Sequence, residues 1–373
     1  MTRHPGFRAA PAAVSHPSAE SGGPAVDWAA LRRVLVVRLD NLGDVVLTGP
    51  MIRAVRAVLA PDATLDVLVS PGGAAVAPLL PGVDGVLPVR AVWQDASAAM
   101  PQDPARELEL VERMRGYDAV IISTSFSQSP WPAAYAAYLA GVGVRVGQSR
   151  EFGGSLLTHW VLPAADDEQA HQVDRSLRMV AAAGVPSAGA GLELRPPDPS
   201  VSQPSRLTGD YVLLAPGASA PSRRYGDFTA VTRALRGAGL RVVVVGTEGE
   251  RALVEQVSEG VDGLIGELDV PALAAVVAGA QLVVTNNSGC LHLADALGTP
   301  SVVLFAGTEH LAQYAPRAGH ATVLSRPVTC SPCRAFTCPY QQECLDVPAS
   351  QVVGAVLARL GRAALPTDKG VAA

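Results

Sequence analysis

VLVVRLDNLGD (residues 34–44) decides how the chain reads. Val34–Leu39 is a short apolar, β-branched run, the pattern of a parallel strand buried on both faces. Asp40–Asp44 is a polar turn containing a glycine, and a helical pattern runs from it to about Leu59. Strands are expected next at Leu65–Val69, Gly85–Val89 and Ala119–Ser123, with a polar helical stretch at 103–116. From 185 to 208 the composition turns to Pro and Ser, as in a connector between domains. A second alternation follows. Strands are expected at Tyr211–Ala215, Arg241–Val245, Leu282–Thr285 and Ser301–Phe305. Helices are expected at Asp227–Gly237, Glu248–Ser258, Pro271–Ala278, Gly289–Leu297 and Gln351–Leu360. Strands alternating with helices give an α/β protein with doubly wound parallel sheets.

The expected organisation is therefore a leader at 1–28 and a first Rossmann-like domain at 29–185. A linker at 186–208, a second Rossmann-like domain at 209–348 and a C-terminal helix and tail at 349–373 complete it. Such domains bind ligands at the carboxyl ends of their strands, so the strand-to-helix turns are the segments to inspect.

The 373 residues carry 29 Lys+Arg against 34 Asp+Glu, a net charge of -5, with 49% hydrophobic and 17% charged residues. That is a globular composition, and its acidic balance argues against nucleic acid as a partner. Lys369 is the single lysine. The apolar runs Trp131–Val144 and Val270–Val284 are short of the ~20 residues a membrane span needs. The N-terminus lacks the apolar core of a signal peptide, so a cytoplasmic location with reduced thiols is expected.

Six features could carry chemistry. In the first turn Asp44 stands where the chain enters a helix; it reads as a helix cap or as a carboxylate able to take a proton from a hydroxyl. No GxGxxG accompanies it. In the second, APGASAPSRRY (215–225), small residues let backbone amides approach an anion. Ser219, Ser222, Arg223 and Arg224 add donors, and arginine's planar fork suits a phosphate. In the third, TNNSGCLHL (285–293), a helix begins at a small polar turn. Its free N–H groups and dipole suit a pyrophosphate, with Gly289 permitting close approach. Asn287 and Ser288 read equally as caps, and His292 as a packed histidine.

In the fourth, GTEGE (246–250), Glu248 is a candidate for ribose hydroxyls or a solvated loop residue. The fifth is Cys330, Cys333, Cys338 and Cys344, four thiols that read as a structural zinc site, as disulfides or as free thiols. The sixth is Trp131, Tyr135 and Tyr138, one helical face by spacing. Core packing is the default for it and a membrane-surface patch the sharper reading.

Together these turns resemble glycosyltransferase family 9, the ADP-heptose:lipopolysaccharide heptosyltransferases. The resemblance covers roughly residues 33–360. Its carriers are 34–56, AGVGVRVGQSREFGGSLLTH (140–159), LLAPGASAPSRRYGDF (213–228) and LVVTNNSGCLHLADALGTPSVVLF (282–305). It implies a GT-B fold with the acceptor on the N-terminal half and the nucleotide-sugar on the C-terminal half. It implies an inverting transfer that requires no metal cofactor, with Asp44 as general base. Ser219, Arg223 and the Ser288–Gly289 helix start would steady the departing diphosphate. It places Ser222, Arg224, Glu248, Asn287 and His292 toward the donor, and Gly43, Arg145 and Arg150 toward the acceptor. It further implies a glycan or glycolipid acceptor and peripheral contact with the inner membrane surface. Two departures stand out. Relatives carry Lys where this chain has Arg223, and Asp where it has Asn287, which leaves the donor sugar open. A GT-B nucleotide-sugar epimerase and a non-catalytic nucleotide-sugar-binding protein are the alternatives.

Overall fold

The computed structural model describes residues 23–94, 103–126, 128–195 and 204–362. Most of the expected leader, residues 196–203 of the expected linker and residues 363–373 of the tail lie outside the described residues.

Twelve strands form two six-stranded parallel sheets. The N-terminal sheet contains β1 (Arg33–Arg38), β2 (Thr64–Val69), β3 (Gly85–Pro88), β4 (Ala119–Ile122), β5 (Val144–Gln148) and β6 (His159–Val161). Its order is β3-β2-β1-β4-β5-β6. The C-terminal sheet contains β7 (Val212–Ala215), β8 (Val242–Gly246), β9 (Asp262–Ile265), β10 (Leu282–Asn286), β11 (Ser301–Leu304) and β12 (Ala321–Leu324). Read from its β9 edge, it repeats the same order: β9-β8-β7-β10-β11-β12. Each sheet thus has one switch point, between β1 and β4 and between β7 and β10, where neighbouring connections diverge and a crevice opens. The four edge strands are short and partly exposed, except that β6 is held by the buried His159. β5, β6, β9 and β12 carry too little apolar periodicity to stand out in the sequence.

The core follows from the strands. β1 buries five successive residues, and β7, β10 and β11 are buried throughout. Their inner faces pool into one apolar cluster that spans both halves, from Val34 and Val36 to Leu213 and Val283. Each outer face has its own helical cover. Leu110, Met114 and Ala137 lie over Leu35 and Val120, and Phe228, Val352 and Val356 lie over Leu214 and Val284.

Four differences from the sequence reading have physical causes. The first helical pattern is two helices, Leu42–Leu47 and Gly49–Val58, because Pro50 can begin a helical segment but not continue one. Trp28 belongs to the fold rather than to a leader: it is buried, and its indole donates to Ala183 O at 2.8 Å. The connector is not simply solvated, since Leu192, Leu194 and Leu207 are buried in the shared core. Tyr135 and Tyr138 also depart from core packing. Their helix, Trp131–Leu139, buries its alanines instead and leaves both rings about half exposed.

Two histidines help join the halves. His171 caps the helix Gln172–Ala182 by accepting at Nδ1 from Val173 N–H, so its Nε2 carries the proton and donates to Ala315 O at 3.0 Å. Burial, reinforced by Arg317, pushes its pKa down to about 4. Burial and the neighbouring His171 push His292 down to about 4 as well. Both rings stay neutral in the fold, whereas the unfolded chain protonates them below about 6.5. Their contribution is therefore complete above pH 6.5 and is lost as the pH falls toward 4, on the order of several kcal/mol for the pair. Thermal melts are expected to show the melting temperature falling between pH 6.5 and 5, before most carboxylates titrate, and His171→Asn is expected to flatten that slope. A melting temperature constant across this window would refute the assignment.

Candidate active site

The loops at both switch points converge on one cavity of about 390 Å³ between the sheets. From the N-terminal half come Asp40–Asp44 after β1 and Ser125, Phe126 and Gln128 after β4. From the C-terminal half come Ser219 and Arg223 after β7, and Asn287–Gly289 with His292 after β10. Glu309 and Tyr314 follow β11, and Arg334 and Phe336 come from the cysteine-rich segment.

On the N-terminal wall, Asp44 sits in the first turn of Leu42–Leu47, and its side chain is about one-sixth exposed. It is oriented by Arg38, an arginine wholly buried at the end of β1. Arg38 Nη2 donates to Asp44 Oδ1 at 3.0 Å, and Nη1 to Ser123 Oγ at 3.0 Å. Its Nε lies 2.7 Å from Asp40 Oδ2, an ionic contact without hydrogen-bond alignment. Burial alone would lower the Arg38 pKa, but the carboxylates of Asp40 and Asp44 outweigh it and hold the guanidinium above its usual value. Burial raises Asp40 against the opposing pull of Arg38. Asp40 is thus occupied by the arginine, and Asp44 is the carboxylate that this pair presents to the cavity.

On the C-terminal wall Arg223 and a helix start face the cavity. Arg223 ends the short helical turn Pro221–Arg223, where Nη1 donates to Ser219 Oγ at 3.2 Å, Nε to Thr308 Oγ1 at 3.2 Å and Nη2 to Glu309 Oε1. Beside it the helix Gly289–Leu297 begins. Ser288 is its N-cap residue, yet its hydroxyl bonds to Thr285 Oγ1 at 3.2 Å and not to the helix N–H groups. The first turn therefore points unsatisfied donors and the positive dipole end at the cavity. Asn287 is buried in the wall, and its Oδ1 accepts from Ala306 N–H at 3.3 Å.

The walls meet at Gly43, Gly289 and His292. A Cβ on Gly43 would lie 2.6 Å from the His292 ring, and one on Gly289 would lie 3.0 Å from Leu42. Only glycines allow the two helix starts to approach this closely.

A second cavity of about 240 Å³ adjoins the first at Ser219, Ser288 and Gly289, and apolar residues such as Val245, Leu268 and Leu273 line it. Its carboxylate is Glu250, which accepts from Thr247 N–H and Oγ1 at 3.0 Å and packs on Gly217. Glu248 is not part of that lining and faces Arg251 at 2.6 Å instead. A third cavity of about 330 Å³ lies on the N-terminal side and shares Phe126, Gln128 and Arg334 with the central one.

The remaining expected residues are spread more widely. Arg150 lines the third cavity. Arg145 is buried away from all of these cavities, donating to the carbonyls of Val142, Ser155 and Leu156 so that it pins the turn before β6. Ser222 is bonded to Ala335 O and Arg224 to Ala218 O, and neither lines the central cavity. All five cysteines are free thiols. Among the described residues no three His, Cys, Asp or Glu side chains converge as a metal site. Burial raises the Cys344 thiol pKa, and Cys330, Cys333 and Cys338 lie near enough to add to the rise. Their segment also forms a cavity wall. Cys333 N–H and Arg334 N–H donate to Gly307 O and Thr308 O at 3.1 and 3.0 Å.

Sequence reasoning did not single out Arg38, Glu250, Glu309, Tyr314 or Arg334. An arginine inside an otherwise apolar strand was a signal for the first, and a carboxylate just past a strand end was one for Glu309.

Two Rossmann-type sheets of identical order, with a carboxylate on one facing wall and an uncapped helix start on the other, are the architecture of a GT-B glycosyltransferase. The chain belongs to glycosyltransferase family 9 (heptosyltransferase), whose family model matches residues 108–343. That match takes in Arg223 and Asn287–Gly289 and stops short of Asp44. The chain is 26% identical to lipopolysaccharide heptosyltransferase 1 of Pseudomonas aeruginosa, over 83% of this chain and 88% of that one. It is 25% identical to lipopolysaccharide heptosyltransferase 3 of Escherichia coli, over 72% of this chain and 82% of that one. Among solved structures, a family 9 glycosyl transferase from Veillonella parvula superposes with a TM-score of 0.72 at 20% identity, covering 91% of this chain and 99% of its own. E. coli ADP-heptose lipopolysaccharide heptosyltransferase II does so with a TM-score of 0.69 at 19% identity, covering 88% and 98%. Among the described residues no helix is long and apolar enough to cross a membrane.

Proposed function

We propose that this glycosyltransferase moves a heptose from ADP-heptose to a hydroxyl of a lipopolysaccharide-type glycolipid or related glycan, with inversion at the anomeric carbon. The observation that carries the reading is the placement of Asp44, aimed by Arg38, across one cavity from Arg223 and the start of Gly289–Leu297. Asp44 takes the proton of the acceptor hydroxyl as that oxygen attacks the anomeric carbon. The bond from that carbon to the diphosphate oxygen breaks on the opposite face. The electron pair leaves with the diphosphate, and Arg223 with the helix N–H groups stabilises its charge. A diphosphate needs no proton to depart, so one carboxylate suffices. The apolar second cavity, with Glu250 at its edge, suits a nucleoside whose base is held by contact and whose ribose hydroxyls meet the carboxylate.

The positive charge facing the leaving group comes from Arg223 and the helix, which supports a transfer independent of metal. The exposed rings of Tyr135, Tyr138 and Phe152 support peripheral contact with the membrane that holds a glycolipid acceptor. The test is an assay with ADP-heptose and a lipopolysaccharide-precursor acceptor, with and without EDTA, followed by assignment of the product anomer. Transfer that survives EDTA and inverts the anomer is expected. A retained anomer, transfer abolished by EDTA and restored by Mg²⁺, or a donor preference for UDP-sugars would each overturn the corresponding part.

A further inference from the structure

The donor sugar must be held between the diphosphate site and Asp44, and its hydroxyls present protons as well as lone pairs. A wall that recognises them needs acceptors. On the C-terminal wall the neutral acceptors each already hold one partner: Asn287 Oδ1 takes Ala306 N–H, Ser219 Oγ takes Arg223, and Ser288 Oγ shares a hydrogen bond with Thr285 Oγ1. Asn287 keeps one amide lone pair beside its two N–H donors and carries no charge. Three carboxylates line the cavity. Asp40 is held against Arg38, and Asp44 is placed for the acceptor hydroxyl. Glu309 is the third, and among the described residues it is the carboxylate of the C-terminal wall.

Its position suits the task. Glu309 follows β11, beside the Asn287 turn that ends the neighbouring strand β10. Its side chain is about four-fifths buried, and Oε1 is fixed by Arg223 Nη2, which orients the group, while among the described residues no hydrogen bond reaches Oε2. The Arg223 guanidinium thereby joins the proposed diphosphate site to a carboxylate that lines the same cavity. A carboxylate fixed through one oxygen, with the other open, is a hydroxyl-reading arrangement.

We propose that Glu309 determines donor-sugar specificity in this enzyme, its carboxylate accepting hydrogen bonds from hydroxyls of the transferred sugar more strongly than the neutral amide at position 287. The inference rests on the donor reading above and goes beyond it by naming the residue that recognises the sugar.

The test compares ADP with ADP-heptose, without acceptor, by titration calorimetry on the full chain and on Glu309→Ala and Glu309→Gln. Wild type is expected to bind ADP-heptose more tightly than ADP. Glu309→Ala is expected to weaken ADP-heptose by about ten- to a hundredfold, the range for a hydrogen bond to a charged group. ADP binding is expected to hold or tighten, because Arg223 is released toward the diphosphate. Glu309→Gln keeps one acceptor oxygen and is expected to fall between. Equal weakening of both ligands would show that Glu309 only positions Arg223, and unchanged ADP-heptose binding would show that it does not touch the sugar. Either result overturns the proposal while leaving the donor reading intact. A wild-type chain that binds neither ligand, or binds UDP-sugars in their place, overturns both.

Discussion

Asp44→Asn is expected to lower kcat by about 10²–10⁴-fold, the contribution of a positioned general base, while ADP binds as it does to wild type. The asparagine is the informative replacement. It keeps an oxygen for Arg38 Nη2, which otherwise loses the partner it holds at 3.0 Å. Arg38 is 2% exposed. Removing the Asp44 side chain leaves that buried donor without an acceptor at a cost of about 1–3 kcal/mol, while Asp40 still opposes the Arg38 charge. Asp44→Ala would therefore mix lost catalysis with a disturbed Arg38–Asp40–Ser123 cluster. Thermal melts separate the two effects. Asp44→Asn should melt near wild type and Asp44→Ala below it, and both should be inactive. Turnover at the wild-type rate in Asp44→Asn would remove Asp44 from the base role.

Arg223→Ala is expected to lower kcat by about 10²–10³-fold, the loss seen when one fixed donor to a developing negative charge is removed. It should also weaken ADP, unlike the Asp44 variants, because the diphosphate is present in both ground and transition states. A second effect has the same direction. Burial already raises the pKa of Glu309, and Arg223 is the main opposing influence. Without it, Glu309 shifts further up and loses its fixed orientation. Arg223→Lys keeps a positive charge but loses the planar fork that reaches Ser219, Thr308 and Glu309 together. It is expected to recover part of the rate. Steady-state kinetics with ADP binding in parallel decide the matter. Full activity in Arg223→Ala would mean that the helix start stabilises the leaving group alone.

How much of this was legible in the sequence depended on the kind of signal each part left. Central strands such as β1, β7 and β10 are buried on both faces and announce themselves as unbroken β-branched runs. Of the edge strands β3 is legible, at Gly85–Val89, whereas β6, β9 and β12 pair on one side only and are short, so no run marks them. The turns after β1, β7 and β10 were found because strand ends in a doubly wound sheet are where ligands sit. Their convergence on a single cavity was not legible, since it depends on how the two sheets are set against each other. Glu248 and Glu250 show the limit at the scale of one loop. Both carboxylates lie just past β8, and only the capping interaction with Thr247 turns the second toward the apolar second cavity. Arg145 shows another, because nothing in its spacing separates an arginine that pins three carbonyls from one that awaits a ligand. Arg334 left no signal, being carried by an irregular segment whose cysteines drew the eye.

The contact between Gly43 and the Gly289–His292 turn has a mechanical meaning. The halves press together at the very loop that carries Asp44, so any rocking of one half against the other would pivot there, and atoms at a pivot travel least. The separation of the proposed base from the helix start opposite is the dimension of the cleft that such a motion would change least.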